Sequence, residues 1–452
     1  MTPEEIRNIS LSELLEKGEF ECACGKKHAP GVKKVFIEAG AVKRLPGLVK
    51  EFGGTKVFIV SGHDTYAAAG DAVTGLLSDA GIPFTKYVFP VSPVKPTEFS
   101  VGAAVMHFDY SCDFVVGVGS GVINDVSKIL AKCAGLPYIS VATAPSVDGY
   151  VSCTSSMEMD GLKISLPSRV PDVVIGDLDI LTKAPMKLLV SGVGDMAAKI
   201  ISLKEWRLAK LIVGEYYCPV VSAMMENALN KVLGSAEGLK NREPEAVKTV
   251  MEGLIIAGMA MNYADVTRPA SGMEHYFSHI WDMRSLAFPE CQVETHGNQA
   301  GLGALYTLKL WDYIAKHVIP DREKALKAAS EFSVDEWNEE LLKFIGPGAN
   351  AMIENEKRDG KYAPEKHEKR LEIILSHWDE IVGIITEPPH FDEVYAMMAD
   401  IGAPLSARDF GYTEEEIKTT MKMTKDIRDK YVTTRILWDL GELDSVAEKM
   451  EF

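Results

Sequence analysis

Between residue 33 and about residue 182, short apolar runs alternate with amphipathic stretches of helical period. VKKVFIEAG is followed by AVKRLPGLVKEFG, KVFIVSG by YAAAGDAVTGLLSDAG, and PFTKYVFP by TEFSVGAAVMHF. FVVGVGSG ends in glycines and leads into a helix from about Asn124, and then into LPYISVATAP. KVFIVSG has the continuous apolar character of a strand buried on both faces. This alternation predicts a parallel sheet with helices on both sides, and such sheets bind ligands at the carboxyl ends of their strands. The tips to watch are Gly62–Thr65, Gly117–Asp125 and Thr143–Ser152.

After PDVVIGDLDILTKAP the alternation stops. Stretches such as GVGDMAAKIISLKEWRLAK, EAVKTVMEGLIIAGMAMNYA and AGLGALYTLKLWDYIAKHV all carry a helical period. The expected fold is therefore an α/β domain with a parallel, Rossmann-like sheet over residues 1–182, including a preface at 1–32. An all-α domain follows over 183–452.

Length supports two domains, because 452 residues exceed one ordinary core. The net charge of −17 disfavours a nucleic-acid partner, since nothing offsets phosphate repulsion over a broad surface. No apolar run approaches the roughly 18 residues of a membrane span. The opening MTPEEIRNISLSELLEKGEF is polar and lacks the apolar core of a secretion signal. Seven scattered cysteines fit a reduced, cytoplasmic setting better than a disulfide framework.

Six stretches carry candidate chemistry. The turn from Gly117 to Asp125 lets a backbone approach a pyrophosphate and presents helix N–H groups to it. It also suits an ordinary strand–helix turn. Asp64, at the tip of KVFIVSGHD, can accept hydrogen bonds from a ribose and repel a 2′-phosphate, which leans toward NAD; it suits an N-cap equally. Thr143-Ala-Pro-Ser146-Val-Asp148-Gly-Tyr-Val-Ser152 offers small hydroxyls and one acid on a loop. Gly192-Val-Gly194-Asp195 reads as a flexible GVG before a carboxylate, an N-cap or a hard metal ligand. His275 and His279 are four apart and share one helix face, and His296 follows on the next element. Their spacing matches no compact zinc module. In the preface, Cys22, Cys24 and His28 lack a fourth ligand, so a turn with packed thiols is the expected reading.

The motifs GVGSGVINDVSK, TAPSVDGYVS, SGVGDMAAKIISLKEW, RPASGMEHYFSH and ETHGNQAGLG, in this order, resemble the sn-glycerol-1-phosphate dehydrogenase family. That family lies in the iron-containing alcohol dehydrogenase, glycerol dehydrogenase and dehydroquinate synthase superfamily. The resemblance runs from about residue 33 to 300, and more loosely to the final IRDKYVTTRILWDLG. It implies NAD or NADP on Gly119, Ser120, Gly121, Val122, Asp125, Thr143, Ser146 and Ser152, beside the Asp64 already read from its strand tip. It implies one divalent ion on Asp195, His275 and His296, with zinc or nickel favoured and iron possible. Asp148 and His279 are the implied substrate-facing residues. The implied reaction is reduction of dihydroxyacetone phosphate to sn-glycerol 1-phosphate, a phospholipid precursor, in a cleft between the domains of a cytoplasmic homodimer. A glycerol or other polyol dehydrogenase is the alternative on the same scaffold, ahead of a cyclase resembling dehydroquinate synthase. Arg268, Lys199 and Lys204 are candidate partners for the substrate phosphate. A catalytically silent assembly subunit is disfavoured by the intact Asp195, His275, His279 and His296.

Overall fold

A computed structural model describes residues 1–159 and 162–452. The chain forms two compact units. One comprises Met1–Asp160, Ile164–Met196 and Pro219–Val266, and the other Gly161–Lys163, Ala197–Cys218 and Thr267–Phe452.

The first unit is built on a six-stranded sheet. Its order is Lys34–Glu38, Val173–Asp177, Tyr138–Ala142, Phe114–Gly119, Val57–Gly62, Phe84–Phe89, and every pairing is parallel. The four inner strands are buried at each position, which is why their sequences are predominantly apolar. On one face Val57, Ile59, Val116, Ile139 and Ile175 pack with Val49, Val73 and Leu77. On the other, Phe58, Val60, Val115 and Tyr138 pack with Ile123, Val126 and Leu130 of helix Gly121–Ala134. Each such side chain contributes about 1.5–3 kcal/mol by leaving water.

The strand order reverses at one place. After Val57–Gly62 the chain moves outward to the edge strand Phe84–Phe89. After Phe114–Gly119 it moves the other way, to Tyr138–Ala142. These two strands are neighbours, with Val60 beside Gly117, so their carboxyl ends diverge into a crevice of the kind that receives ligands.

A single cut near residue 183 does not describe the units. Helices Pro219–Gly234 and Pro244–Ala264 belong with the sheet. Met251 reaches to within 3.5 Å of where a Gly176 Cβ would stand on the sheet, and a side chain at Gly258 would press on Val151. The apolar faces of these helices are satisfied there, a tertiary preference that helical periodicity alone does not reveal. Strands also form at Thr154–Met159 and Leu162–Pro167, which the apolar pattern passed over.

The second unit is helical. Met273–Ala287 and His296–His317 pack together at its centre. The segment near the C-terminus is pinned by buried polar bonds. Glu205 accepts from both the backbone N–H and the hydroxyl of Thr433 at 2.7 Å, and the Trp311 indole N–H donates to the Thr433 hydroxyl at 2.8 Å. Among the described residues, no helix is long and apolar enough to cross a membrane.

Candidate functional site

In the first unit, the crevice at the strand reversal opens into a cavity of about 590 Å³. Its lining includes Gly62, Asp64, Ser120, Val122, Thr143 and Pro185. A volume of this size accommodates a small-molecule ligand or a large part of a dinucleotide. Helix Gly121–Ala134 starts directly at the strand tip, three residues before the expected Asn124, so its unpaired N–H groups begin beside the cavity-lining Ser120. Asp64 is exposed at the start of a helical turn. It accepts from the Ser92 hydroxyl and pairs with the His63 ring, and these bonds hold its carboxyl below the ordinary carboxylate range. It is therefore ionised at neutral pH and has capacity for further donors.

The other residues expected at the cofactor divide by role. A Cβ at Gly119 would press within 2.5 Å of Ile123, and one at Gly121 would come within 3.0 Å of Val147, so both glycines admit close packing of strand, helix and loop. Asp125 faces inward, pairing with Lys128 at 2.9 Å and accepting from Ser156 N–H at 3.2 Å. Ser152 receives Lys128 Nζ at 3.2 Å and donates to the Thr154 carbonyl at 2.8 Å. The Ser146 carbonyl accepts from the Ser191 hydroxyl at 3.0 Å. Asp125, Ser146 and Ser152 thus brace the loop, while Asp64, Ser120, Val122 and Thr143 line the cavity.

Asp148 opens a short 3₁₀ turn, and its N–H donates to Asp195 Oδ2 at 2.9 Å. Asp195 is fully buried near the end of helix Met186–Ala197. GVGD therefore lies inside a helix, and is neither a flexible hinge nor an N-cap. A side chain at Gly192 would collide with the Pro145 carbonyl. The glycine is what allows this helix to lie against the 143–148 loop.

In the second unit, His275 and His279 lie on one face of Met273–Ala287, with ring centroids 6.5 Å apart. His296 opens helix His296–His317, its ring centroid 5.1 Å from that of His275. One ring nitrogen of each of these two lies within 4.8 Å of the other. Their remaining nitrogens are engaged. His275 Nδ1 faces Glu274 Oε1 at 2.8 Å. His296 Nδ1 meets Ser278 Oγ at 3.2 Å, and that hydroxyl donates to Gln299 Oε1 at 2.9 Å. Both Nδ1 atoms must then carry protons, leaving two Nε2 lone pairs suited to one divalent ion. The sequence reading missed Glu274, Ser278 and Gln299 as orienting groups. Adjacent helical residues do not ordinarily face one another, so Glu274 beside His275 carries no spacing signal.

His279 is buried, and its Nδ1 has no hydrogen-bond partner among the described residues. Burial, then the positive Arg428 and the neighbouring histidines, hold its pKa well below the ordinary imidazole range. It is a neutral ring at pH 7. The three suggested phosphate partners are engaged within the unit. Arg268 pairs with Glu215 at 3.1 Å and donates to the Tyr431 carbonyl, Lys199 donates to the Ala270 carbonyl at 3.1 Å, and Lys204 donates to the Glu387 carbonyl.

The family model described as iron-containing alcohol dehydrogenase matches residues 36–185. A protein of Thermofilum pendens, named glycerol-1-phosphate dehydrogenase (NAD(P)+), is 32% identical over 311 residues, covering 67% of this chain and 87% of that one. The chain belongs to the glycerol-1-phosphate dehydrogenase family. A family member from Bacillus licheniformis with the same name is 27% identical over 443 residues, 97% of each chain. Among solved structures, a probable glycerol dehydrogenase of Sinorhizobium meliloti superposes with a TM-score of 0.58 over 93% of this chain and 98% of its own. At 16% identity that likeness establishes the fold alone.

Proposed function

We propose that this chain is a metal-dependent, NAD(P)-linked oxidoreductase that interconverts dihydroxyacetone phosphate and sn-glycerol 1-phosphate, working in the cytoplasm as a homodimer. The observation that carries the reading is its similarity to the Bacillus licheniformis glycerol-1-phosphate dehydrogenase along 97% of both chains. The cavity at the sheet reversal supports it independently, as a site for the nucleotide.

Asp195, His275 and His296 are the proposed metal ligands. The donor set is chemically apt: a carboxylate and two imidazoles with fixed tautomers suit zinc, nickel or iron and leave coordination positions open. An ion bound by these residues would supply Lewis-acid polarisation of the substrate's carbonyl or hydroxyl oxygen, and a bound nicotinamide would supply or accept hydride. The protein's own work is positioning and proton handling. Glu274 and Ser278 keep the two imidazoles turned with Nε2 outward. Neutral His279 accepts or relays the hydroxyl proton at a ring nitrogen, and Asp148 orients a substrate hydroxyl. Asp64 receives the adenosine ribose hydroxyls, and its charge favours NAD over a 2′-phosphorylated cofactor.

The test is NADH oxidation by metal-stripped protein reloaded separately with zinc, nickel or iron. Metal-dependent turnover of dihydroxyacetone phosphate but not dihydroxyacetone supports the proposal. Turnover of the unphosphorylated ketone moves the reading to a polyol dehydrogenase. The engagement of Arg268, Lys199 and Lys204 within the second unit is the one observation that favours this alternative.

A further inference from the structure

The preface contains a cluster that the proposed reaction leaves unused. Phe20–Glu21 and Lys27–His28 form an antiparallel hairpin, with Phe20 opposite His28 and Glu21 opposite Lys27. At its tip the Cys22 N–H donates to the Lys26 carbonyl at 3.1 Å, and the Gly25 N–H to the Cys22 carbonyl at 3.0 Å. Gly25 has φ +86°, a conformation that side-chain-bearing residues rarely adopt. This tight turn folds the CACG segment back on itself. The sulfurs of Cys22 and Cys24 and one ring nitrogen of His28 lie within 4.8 Å of one another.

The geometry within the trio is that of ligands around one ion. Zinc binds thiolate at about 2.3 Å and imidazole at about 2.0 Å, so two tetrahedral ligands stand roughly 3.5 Å apart. Cys24 Sγ is 3.4 Å from His28 Nε2. The other nitrogen supplies a second, independent sign. His28 is fully buried, and its Nδ1 lies 2.6 Å from the Tyr263 carbonyl oxygen, which only accepts. Nδ1 must be the protonated nitrogen, so Nε2 presents its lone pair on the side of Cys24 Sγ. A histidine held by a backbone carbonyl in this way is oriented as metal-binding histidines are.

Chain connectivity at the boundary of the first unit, where its segment Pro219–Val266 begins, identifies a fourth donor. Pro219–Gly234 and Pro244–Ala264 follow one another through a short helix and pack side by side, with Gly253 against Val232. Carried along an antiparallel pair, this register brings Pro219 level with the end of the second helix. There the Tyr263 carbonyl meets His28, and the Ala264 carbonyl accepts Lys26 Nζ at 2.7 Å. The residue covalently joined to Pro219 is Cys218, which is fully buried.

We propose that Cys22, Cys24, His28 and Cys218 bind one structural zinc ion, a closed Cys₃His site separate from the proposed catalytic ligands. A four-ligand site leaves no open position for chemistry. Its role is to fasten the preface to helix Pro244–Ala264, where the short hairpin has little core of its own.

The test is metal analysis and cobalt substitution of the full chain, prepared under reducing conditions. The expected result is two metal equivalents per chain, falling by one in Cys24→Ser and in Cys218→Ser. Cobalt-loaded wild-type protein should show intense thiolate-to-cobalt charge-transfer absorption. An Asp/His/His set contains no sulfur and cannot give that band, so the readout is independent of the proposed catalytic ion and of activity. Should the variants fail to fold, zinc-dependent protection of Cys22 and Cys24 from alkylation in the wild type decides. Absence of the thiolate band, unprotected thiols, or a Cys22–Cys24 disulfide would overturn the site. A Cys218→Ser protein with full metal content and an unchanged band would overturn the fourth ligand.

Discussion

The backbone N–H of Asp148 donates to the carboxylate of Asp195 across 2.9 Å, tying the loop that carries one proposed substrate contact to a proposed metal ligand. An amide oxygen can accept the same bond, but it lacks the charge that a divalent ion requires. Asp195→Asn should therefore keep the fold while losing one metal equivalent and roughly a thousandfold in kcat, the scale of several kcal/mol of lost polarisation. Metal analysis beside steady-state kinetics checks this. A variant with full metal content removes Asp195 from the ligand set.

His279→Ala separates metal binding from proton handling. The ring is buried and its Nδ1 lacks a partner among the described residues, so its removal leaves the engaged His275 and His296 in place. Metal content should be unchanged, with kcat down by about 10²–10⁴-fold, the usual worth of a positioned acid–base group. Loss of the ion would instead make His279 a ligand.

Asp64→Ala tests the coenzyme reading. A charge-assisted hydrogen bond is worth about 1.5–3 kcal/mol, so the KM for NADH should rise by tenfold or more. That for NADPH should change little or fall, because a repulsive charge is gone. Equal changes for both coenzymes would show that Asp64 does not face the ribose.

Gly192→Ala should be costly although alanine favours helices. The added methyl meets the Pro145 carbonyl oxygen, a backbone atom that moves only with its loop. A loss of about 1–3 kcal/mol is expected in urea unfolding, with a higher KM because Asp148 shifts with the loop. Stability equal to wild type would mean that the loop yields freely.

Lys204 gives a pH signature. Burial pushes its ammonium down to about 8, with Glu387 opposing the shift and Arg207 adding to it. A lysine lowered on folding binds fewer protons in the native than in the unfolded state between pH 8 and its ordinary value near 10.5. Stability contributed by this group therefore rises as pH increases through that window. Lys204→Met should flatten the rise, as read from urea midpoints at pH 7, 8, 9 and 10. An unchanged slope would show that Lys204 is not the group responsible.

The parts of this molecule that were legible in its sequence are those governed by local periodicity. Val57–Gly62 and Phe114–Gly119 stand out because a strand buried on both faces must be apolar throughout, and His275 and His279 because a helix places every fourth residue on one face. What escaped depends on partners distant in the chain. Gly192 and Gly194 weaken a helix locally, by about 1 kcal/mol each, and so read as a hinge; only Pro145, far away in sequence, explains Gly192 within the helix. Asp125 follows a glycine turn that suits a nucleotide, yet it lies inside helix Gly121–Ala134 and accepts from the N–H of Ser156, 31 residues further along. Helices Pro219–Gly234 and Pro244–Ala264 carry the same period as the rest of the helical region, and nothing local says that they cover a sheet.

Among the described residues the sheet's edge strand Lys34–Glu38 pairs only with Val173–Asp177, and Asp177 also accepts from the N–H groups of Gly40 and Val42 at 3.0 Å. During synthesis, which proceeds from the N-terminus, the first strand of this sheet must wait for the last before it gains a neighbour. Strands 57–62 and 84–89 can associate early, but the sheet has no complete form in any nascent chain that ends before residue 177. Until then the strand's backbone groups bond only to water, and the nascent chain exposes the inner edge that Val173–Asp177 later covers.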